Sequence, residues 1–272
     1  MRYGLDVPIN GRYADIRLLA EIAVEAEEAG WDGFFLQDVF SGDEDILDPW
    51  LALVAIALRT TAIRIGIMVT PLPRRLPWEV ARQVATIDQL SGGRIVFAAG
   101  LGYRAEEMQA LGLEPALRLR AGQVDEALEI LRGLWTGRPF TFKGSHYRVD
   151  ELQVRPAPRQ QPRPPVWVAA GWPARPPFRR AARWDGAYLM TVNQSTNRLL
   201  TPGEVIEIGA YLRAHREPSA PPIDLAVNAI TEGEGRTDPG EMERAGATWW
   251  VDWDRYPSID DYRARIRSGP PA

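Results

Sequence analysis

This sequence has no cysteine and almost no lysine or histidine, and these absences exclude several kinds of chemistry. None of its 272 residues is cysteine, so the chain has no thiol nucleophile, no disulfide and no thiolate metal site. The two histidines, His146 and His215, are too few for a three-histidine zinc site. The one lysine, Lys143, follows a phenylalanine, so the Gly-Lys-Ser/Thr string of a phosphate loop is absent. We therefore expect no metal site.

Charge and hydropathy exclude two further classes of partner. The formal net charge of −4 gives no basic domain for nucleic acid. No apolar run approaches the ~20 residues that cross a bilayer, and the first residues lack the layout of a signal peptide. We expect a cytoplasmic protein without a nucleic-acid or membrane partner. With 45% apolar residues, residues 1–272 can form a single barrel-sized domain.

Short apolar runs alternate with amphipathic segments along the whole chain. Continuous apolar runs predict strands buried on both faces, as in a parallel sheet. Eight such strands, each followed by a helix, predict an α/β fold, a closed (β/α)₈ TIM barrel, with a doubly wound sheet as the alternative. The predicted strands are 3–7, 33–37, 64–70, 95–99, 166–170, 186–190, 223–229 and 248–251. The predicted helices are 14–29, 49–58, 77–90, 117–135, 176–184, 202–215, 238–245 and 258–267.

The middle of the chain interrupts this alternation with a short insertion before the fifth predicted strand. Residues 140–142 and 146–149 flank Lys143-Gly144-Ser145, which predicts a β-hairpin. Residues 155–165 then contain five prolines, at positions 156, 158, 162, 164 and 165. Because the strand and helix pattern resumes at once, we favour an extended strap on the surface over a domain linker.

Several strings, in order along the chain, resemble the luciferase-like monooxygenase family of flavin- or deazaflavin-dependent oxidoreductases. The clearest stretch is 65–102, which contains Ile-Gly-Ile-Met-Val-Thr-Pro-Leu-Pro-Arg-Arg, Asp-Gln-Leu-Ser-Gly-Gly-Arg and Gly-Leu-Gly. Shorter matches are Gly-Trp-Asp-Gly-Phe-Phe at 30–35, Leu-Trp-Thr-Gly at 134–137 and Ala-Gly-Ala-Thr-Trp-Trp at 245–250. The resemblance implies a (β/α)₈ barrel with a cofactor at its C-terminal mouth. It also implies that the insertion forms a small lid there.

The strand ends and the resemblance together nominate the site. Residues at the C-terminal ends of barrel strands line the active site, and Asn228 and Asp252 are among them. Met68 directly precedes the Val69-Thr70 pair, near which the resemblance implies a cis peptide bond beneath the ring. The predicted cofactor-binding residues are Asp6, Asp38, Met68, Val69, Thr70, Gly100, Leu101, Gly102, Tyr103, Ala170, Gly171, Trp172 and Met190.

Two of these segments have competing interpretations. The string Gly-Leu-Gly-Tyr-Arg-Ala at 100–105 matches a loose dinucleotide fingerprint that needs a later acidic residue, such as Asp125. We favour instead a strand end where glycine lets backbone approach a bound ring. The helix after Trp172 offers N–H groups to a phosphate, with Arg175, Arg179 and Arg180 either adding charge or facing solvent.

Asp38 is the one candidate catalytic residue. In the family it is commonly followed by a histidine, but Val39 stands here, which weakens a histidine-assisted proton transfer. Asp38 binds cofactor or substrate, or else caps the following loop. An aromatic wall at the mouth is expected from Trp172, Trp249, Trp250 and Trp253.

The resemblance implies a flavin-dependent enzyme. We favour reduced FMN acting with O₂ on a small organic substrate, and the alternative is the deazaflavin coenzyme F420 transferring a hydride. The resemblance also implies a homodimer and a separate flavin or deazaflavin reductase as a partner. Two hypotheses from other classes stay open. One is a barrel subunit that binds no flavin, and the other is a hydrolase using Asp38 and Asp252 across the mouth.

Overall fold

A ring of parallel strands forms the centre of the computed structural model of this chain, which describes residues 1–102, 104–192, 198–231, 236–253 and 256–271. The strands are β1 (Arg2–Val7), β2 (Gly33–Leu36), β3 (Arg64–Pro71), β4 (Ile95–Gly100), β5 (Phe140–Lys143), β6 (Arg148–Leu152), β7 (Val166–Trp172), β8 (Gly186–Thr191), β9 (Asp224–Ala229) and β10 (Trp249–Trp253). All except β5 and β6 belong to the ring, which closes because β1 pairs with both β2 and β10. The predicted barrel is confirmed.

Helices follow the ring strands and cover the outside of the barrel. They are α1 (Ile16–Glu28), α2 (Pro49–Arg59), α3 (Pro77–Leu90), α4 (Ala105–Ala110), α5 (Leu117–Leu134), α6 (Arg175–Ala181), α7 (Pro202–His215), α8 (Pro239–Arg244) and α9 (Ile259–Arg267). Asp48 caps the start of α2, and its Oδ1 accepts hydrogen bonds from the backbone N–H groups of Trp50 and Leu51. Helix α4 was not predicted, and α6 ends three residues before its predicted end. In the described ranges, no helix is long and apolar enough to cross a membrane.

The insertion before β7 lies away from the mouth. The β5–β6 hairpin packs on α5, where Glu126 accepts hydrogen bonds from the backbone N–H groups of residues 145–147. The proline strap runs under the N-terminal ends of β3 and β4, because Gln160 donates to Asp88 and to the carbonyl of Ile95. The surface strap is therefore confirmed, but the expected lid is wrong: the hairpin covers helices and the strap covers the opposite end.

Three aromatic rings fill the lower half of the barrel. Phe35, Trp167 and Trp249 lie with ring centroids 5.3–5.8 Å apart, and all three are buried. Each such pair contributes about 1 kcal/mol beyond the area it buries. We call these three rings the aromatic plug. Trp249 begins β10 and therefore lies at the N-terminal end, so the prediction that it lines the mouth is wrong.

Glycines on neighbouring strands make room for the plug. A Cβ at Gly33 would lie 2.6 Å from the Phe35 ring and 2.8 Å from Trp249, and a Cβ at Gly186 would overlap the indole of Trp167. At these positions the aromatic rings lie so close to the backbone that only glycine leaves room for them. Trp250, next to the plug in sequence, instead packs into the layer between barrel and helices, which also removes it from the predicted aromatic wall.

We predict that Gly186→Ala lowers the free energy of unfolding by about 1–3 kcal/mol, because its methyl group would force the Trp167 indole out of place. Urea denaturation followed by circular dichroism measures the change. The control is Gly203→Ala in the first turn of α7, where the nearest heavy atom to a Cβ lies 4.0 Å away. This variant should match or slightly exceed the parent's stability. Equal midpoints for the two variants would contradict the packing argument.

Candidate functional site

The C-terminal ends of the ring strands surround a mouth whose lining is half-buried. Side chains alternate along a strand, so residues between those that pack on the helices point into the barrel. Below the mouth these inward residues belong to a separate buried cluster around the aromatic plug. The half-buried residues that face the mouth above it are Gln37, Val69, Ala169, Gly171, Met190, Asn228 and Trp253.

One side of the mouth, formed by β4 and β7, carries almost no side-chain bulk. Ala98 and Gly100 face inward from β4, and Ala169 and Gly171 face inward from β7. A Cβ at Gly100 would overlap the side chain of Val69 on β3. The result is a wall of backbone and methyl groups, which a flat ring can approach closely.

The end of β3 is irregular next to this wall. The Met68–Val69 peptide bond is cis, one bond before the Val69–Thr70 position expected from the resemblance. The pairing of β3 with β4 shifts register between Ile67 and Thr70, so Met68 and Val69 both contact the inner cluster. The Thr70 hydroxyl is buried and, among the described residues, has no hydrogen-bond partner.

A polar group of three side chains forms the floor of the mouth. The Tyr188 hydroxyl donates to Oδ2 of Asp6 at 3.1 Å and also lies in hydrogen-bond contact with the Asn228 side chain. A phenol has one hydrogen, so it can donate to only one of these groups. When the amide nitrogen of Asn228 faces the phenol, the three groups form a directed chain from Asn228 through Tyr188 to Asp6.

Burial raises the pKa of the Tyr188 phenol well above its ordinary value, and the charge of Asp6 raises it further. The phenol therefore stays protonated at every pH near neutrality. Tyr188 was not predicted as a site residue. The signal was available, because Tyr188 lies two positions before the predicted Met190 on the same strand and hence shares its inward face.

Asp38 lies in a buried ion-pair network. Its Oδ1 accepts from Nη2 of Arg74 at 2.6 Å, and its Oδ2 accepts from Nη2 of Arg75 at 2.9 Å. Arg74 also donates through Nη1 to Glu107 at the start of α4. Both carboxylate oxygens of Asp38 are thus occupied by guanidinium groups. Its role as a cofactor or substrate ligand stays a prediction, and the partners Arg74, Arg75 and Glu107 were missed.

Asp252 does not face Asp38 across the mouth. Its neighbour Val251 belongs to the inner cluster, whereas the Asp252 carboxylate lies in the helix layer with Nε of Arg265 3.6 Å from Oδ2. The carboxylate pair that a hydrolase would need is therefore not formed, and that hypothesis is wrong. Among the described residues, no three His, Cys, Asp or Glu side chains cluster to hold a metal.

A cavity of about 210 Å³ lies beside the mouth, between the loops that follow β2 and β3. We call it the arginine pocket. The rings of Phe40 and Trp50 lie 5.3 Å and 5.7 Å from the guanidinium carbons of Arg74 and Arg75, respectively. Both charged side chains are thus held by ion pairs and by aromatic contact. The pocket is lined by Asp38, Val39, Phe40, Ile46, Leu47, Asp48, Pro49, Arg74 and Arg75.

The segment after β4 belongs to the barrel mouth. Arg120 on α5 donates to the carbonyls of Leu101 and Gly102 and so fixes this turn. Tyr103 lies outside the described residues. The dinucleotide interpretation is wrong, because β4 is a barrel strand and Asp125 pairs with Arg180 on α6 instead of facing a ribose.

The end of β7 presents one of its three predicted ligands to the mouth. Gly171 faces inward, while Ala170 and Trp172 are buried against the helix layer. The Trp172 ring lies 5.6 Å from the ring of Phe178 on α6, edge to face. The side chains of Ala170 and Trp172 therefore do not line the mouth, and any contact they make with a cofactor would come from their backbone.

The start of α6 is a poor backbone anion site. It begins with an arginine and two prolines, at 175–177, and proline has no N–H to donate. The Arg175 guanidinium lies 4.1 Å from the ring of Trp172 and 4.7 Å from the ring of Tyr211. Arg179 donates to the Tyr211 hydroxyl at 2.9 Å. Two of the first three helix positions therefore lack an N–H, and most of the positive charge at this helix end comes from side chains; binding of a phosphate there stays a prediction.

Known proteins of similar sequence include enzymes named as F420-dependent. An F420-dependent glucose-6-phosphate dehydrogenase of Amycolatopsis mediterranei is 35% identical over 163 residues, which are 58% of this chain and 48% of that protein. An F420-dependent hydroxymycolic acid dehydrogenase of Mycobacterium tuberculosis is 34% identical over 162 residues, 58% of this chain and 44% of that protein. The chain thus spans about half the length of the curated relatives it matches.

A solved structure has a similar fold, and a family model matches the sequence. The F420-dependent tetrahydromethanopterin reductase of Methanopyrus kandleri superposes with a TM-score of 0.78, covering 98% of this chain and 96% of that one, at 15% identity. At this identity the likeness is one of fold. The family model described as luciferase-like monooxygenase matches residues 4–227. Because that match covers most of the chain, the protein belongs to the luciferase-like monooxygenase family.

Proposed function

We propose that this protein is an F420-dependent oxidoreductase that transfers a hydride between the deazaflavin coenzyme and a small organic substrate. The observation that carries the proposal is the F420 dependence named for relatives that are 34–35% identical over 58% of the chain. The sequence alone favoured FMN and oxygen, and the relatives support its alternative instead. Because the chain spans only about half of those relatives, their substrates are not transferred to it.

The residues at the mouth fit a flat deazaflavin ring. The wall formed by β4 and β7 has only methyl groups and glycine facing inward, so a planar ring can lie against it. The buried Thr70 hydroxyl, without a partner in the described part of the chain, is a polar atom that such a ring could satisfy. The two prolines that begin α6 leave the coenzyme's anionic end to side chains such as Arg175.

The protein's own groups bind, orient and exclude water, while the bound deazaflavin supplies hydride transfer. Val69 and Met190 close over the aromatic plug and keep the floor dry. In a dry site the Asp6–Tyr188–Asn228 group holds a fixed charge and a fixed proton, because the phenol of Tyr188 does not ionise. Both oxygens of Asp38 accept from guanidinium groups and Val39 stands at the next position, so neither position offers a free base for proton transfer.

We predict that the purified protein binds F420 with a dissociation constant in the micromolar range and binds FMN at least about tenfold more weakly. Quenching of coenzyme fluorescence on titration measures both affinities. Gly171→Leu should weaken F420 binding at least about tenfold, because its side chain would project from β7 over the flat wall.

The control is Gly203→Leu, an exposed position in the first turn of α7, which should leave F420 binding unchanged. Three outcomes would count against the proposal. If neither cofactor binds at about 100 μM, which is about 100 times the expected dissociation constant, the barrel subunit that binds no flavin is favoured. Tighter binding of FMN would restore the monooxygenase, and unaltered F420 binding by Gly171→Leu would remove the cofactor from this wall.

A second prediction concerns the contribution of Tyr188, in the floor of the mouth, to stability at high pH. Because the pKa of Tyr188 is raised on folding, the unfolded state loses this proton first, near pH 10, and the folded state loses stability above that pH. The loss should approach about 1.4 kcal/mol per pH unit. Tyr188→Phe should abolish this contribution, as measured by urea denaturation between pH 9 and 11.

Absorbance titration of tyrosinate provides the control. In the folded protein, the parent and Tyr188→Phe should give the same titration curve over the pH range in which the exposed tyrosines ionise, because burial raises the pKa of Tyr188 well above theirs. In urea, the parent should titrate all of its 8 tyrosines and the variant one fewer. A difference of one tyrosine between the folded proteins would show that Tyr188 titrates normally.

A further inference from the structure

Helix α4 and the residues beside it form a segment that is attached to the barrel at few points. Of residues 104–111, only Glu107 and Met108 are buried, and Ala105 is half-buried. The side chain of Met108 packs on Gly102, where a Cβ would overlap its methyl group. Segments with few buried apolar contacts open locally at a low cost in free energy. We call residues 104–111 the α4 flap.

Two glycines in the left-handed conformation lie at the ends of the α4 flap. Gly102 has a φ of +72° and Gly112 has a φ of +68°. Glycine adopts such values readily and can also leave them without strain, because it has no Cβ. Hinges of moving loops are a few residues that absorb a large change in φ and ψ. These two positions therefore suit the hinges of a segment that moves as one piece.

The α4 flap extends from the end of β4 to the neighbouring loops of the mouth. Glu107 accepts a hydrogen bond from Nη1 of Arg74, in the loop after β3. Nη1 of Arg104 donates to the carbonyl of Ser41, in the loop after β2, at 2.8 Å. Gly100 ends β4 and belongs to the flat wall of the mouth. The flap therefore borders the mouth on the side of β2, β3 and β4, next to that wall.

The ion pair between Glu107 and Arg74 can hold the flap closed and still be released. Only 8% of the Glu107 side chain and 4% of the Arg74 side chain are exposed, so both charges are removed from water in this conformation. Arg74 also pairs with Asp38, at 2.6 Å. When the flap opens, Glu107 gains water and Asp38 still neutralises the guanidinium. Opening therefore leaves no charge buried alone, which is the state that makes a broken buried ion pair costly.

We infer that the α4 flap opens about Gly102 and Gly112 to admit the coenzyme ring to the flat wall, and that the Glu107–Arg74 pair holds the flap closed. The coenzyme in this inference rests on the proposed function, whereas the motion of the flap does not. The ring enters when the flap is open, and closing then excludes water from the mouth. Glu107 is thus a positioning residue, because it acts through the flap.

Hydrogen–deuterium exchange of the full-length protein without coenzyme tests the motion. Glu107→Gln keeps the size and shape of the side chain but removes its charge. It should speed exchange of the backbone amides in the α4 flap at least about tenfold, because the charged hydrogen bond to Arg74 is lost. The matched control is Glu106→Gln, which changes the preceding, exposed residue of the same helix and should leave exchange unchanged.

A second pair of variants tests the hinge without changing an ion pair. Gly112→Ala strains the closed form through the positive φ alone, because nothing lies within 4 Å of a Cβ there. It should speed exchange of the flap about fivefold. The control Gly92→Ala introduces the same strain in the turn after α3, at a φ of +72° and again with nothing within 4 Å, and should leave exchange of the flap unchanged. Because Gly112 is exposed, this test remains valid if Glu107→Gln does not fold.

The rate constants of F420 binding, measured by stopped-flow fluorescence, test whether the flap controls entry. Glu107→Gln increases the fraction of protein with an open flap, so it should raise the association and the dissociation rate constants together, each about fivefold or more. The dissociation constant should then change by less than about threefold. Loss of a direct contact with the coenzyme would instead raise the dissociation rate constant alone.

Three results would overturn the inference. They are equal exchange of the flap in the parent and in Glu107→Gln, equal effects of Gly92→Ala and Gly112→Ala on that exchange, and an association rate constant for F420 that Glu107→Gln leaves unchanged. Failure of the proposed function gives a different result. If F420 does not bind while exchange still responds to Glu107→Gln and Gly112→Ala, the motion stands, and the proposed function is wrong together with the coenzyme's entry under the flap.

Discussion

The packing of three rings inside the barrel determines how much room remains for chemistry. Phe35, Trp167 and Trp249 fill the lower half of the ring of strands, and glycines beneath them let the rings approach the backbone. A barrel filled this way has no channel, so its usable volume lies above the plug. The Asp6–Tyr188–Asn228 group sits at that boundary. The depth of the mouth is therefore set by buried rings that lie below it.

Electrostatics divide the mouth into two unlike regions. The floor holds one buried carboxylate whose neighbour is a phenol that stays protonated. The side beyond β2 and β3 holds two arginines in a nearly neutral ion-pair network. Buried charges are tolerated when each is paired, and here Asp38 pairs with both arginines while Glu107 pairs with Arg74. The same network makes Asp38 unavailable as a base and holds Arg74 and Arg75 in place.

The strands and the barrel could be predicted because buried parallel strands appear in the sequence as apolar runs. That same signal hides which face each residue occupies, since both faces are apolar. Trp172 and Ala170 were therefore assigned to the mouth although they pack on the helices, and Tyr188 was missed. The Asp38 network joins residues from three separate segments, and no local pattern reports such contacts. Helix α4 has six residues, too few to show a helical period.

The prolines that begin α6 have a consequence for how any anionic coenzyme would be held. Backbone N–H groups offer an anion short, directional contacts that resist screening. A guanidinium on a stacked but exposed side chain offers charge that dissolved ions compete for. The affinity of this protein for such a coenzyme would then depend on the salt concentration as well as on the shape of the mouth. High ionic strength would weaken binding of the anionic end first, and the contacts of the flat ring would then supply most of the affinity.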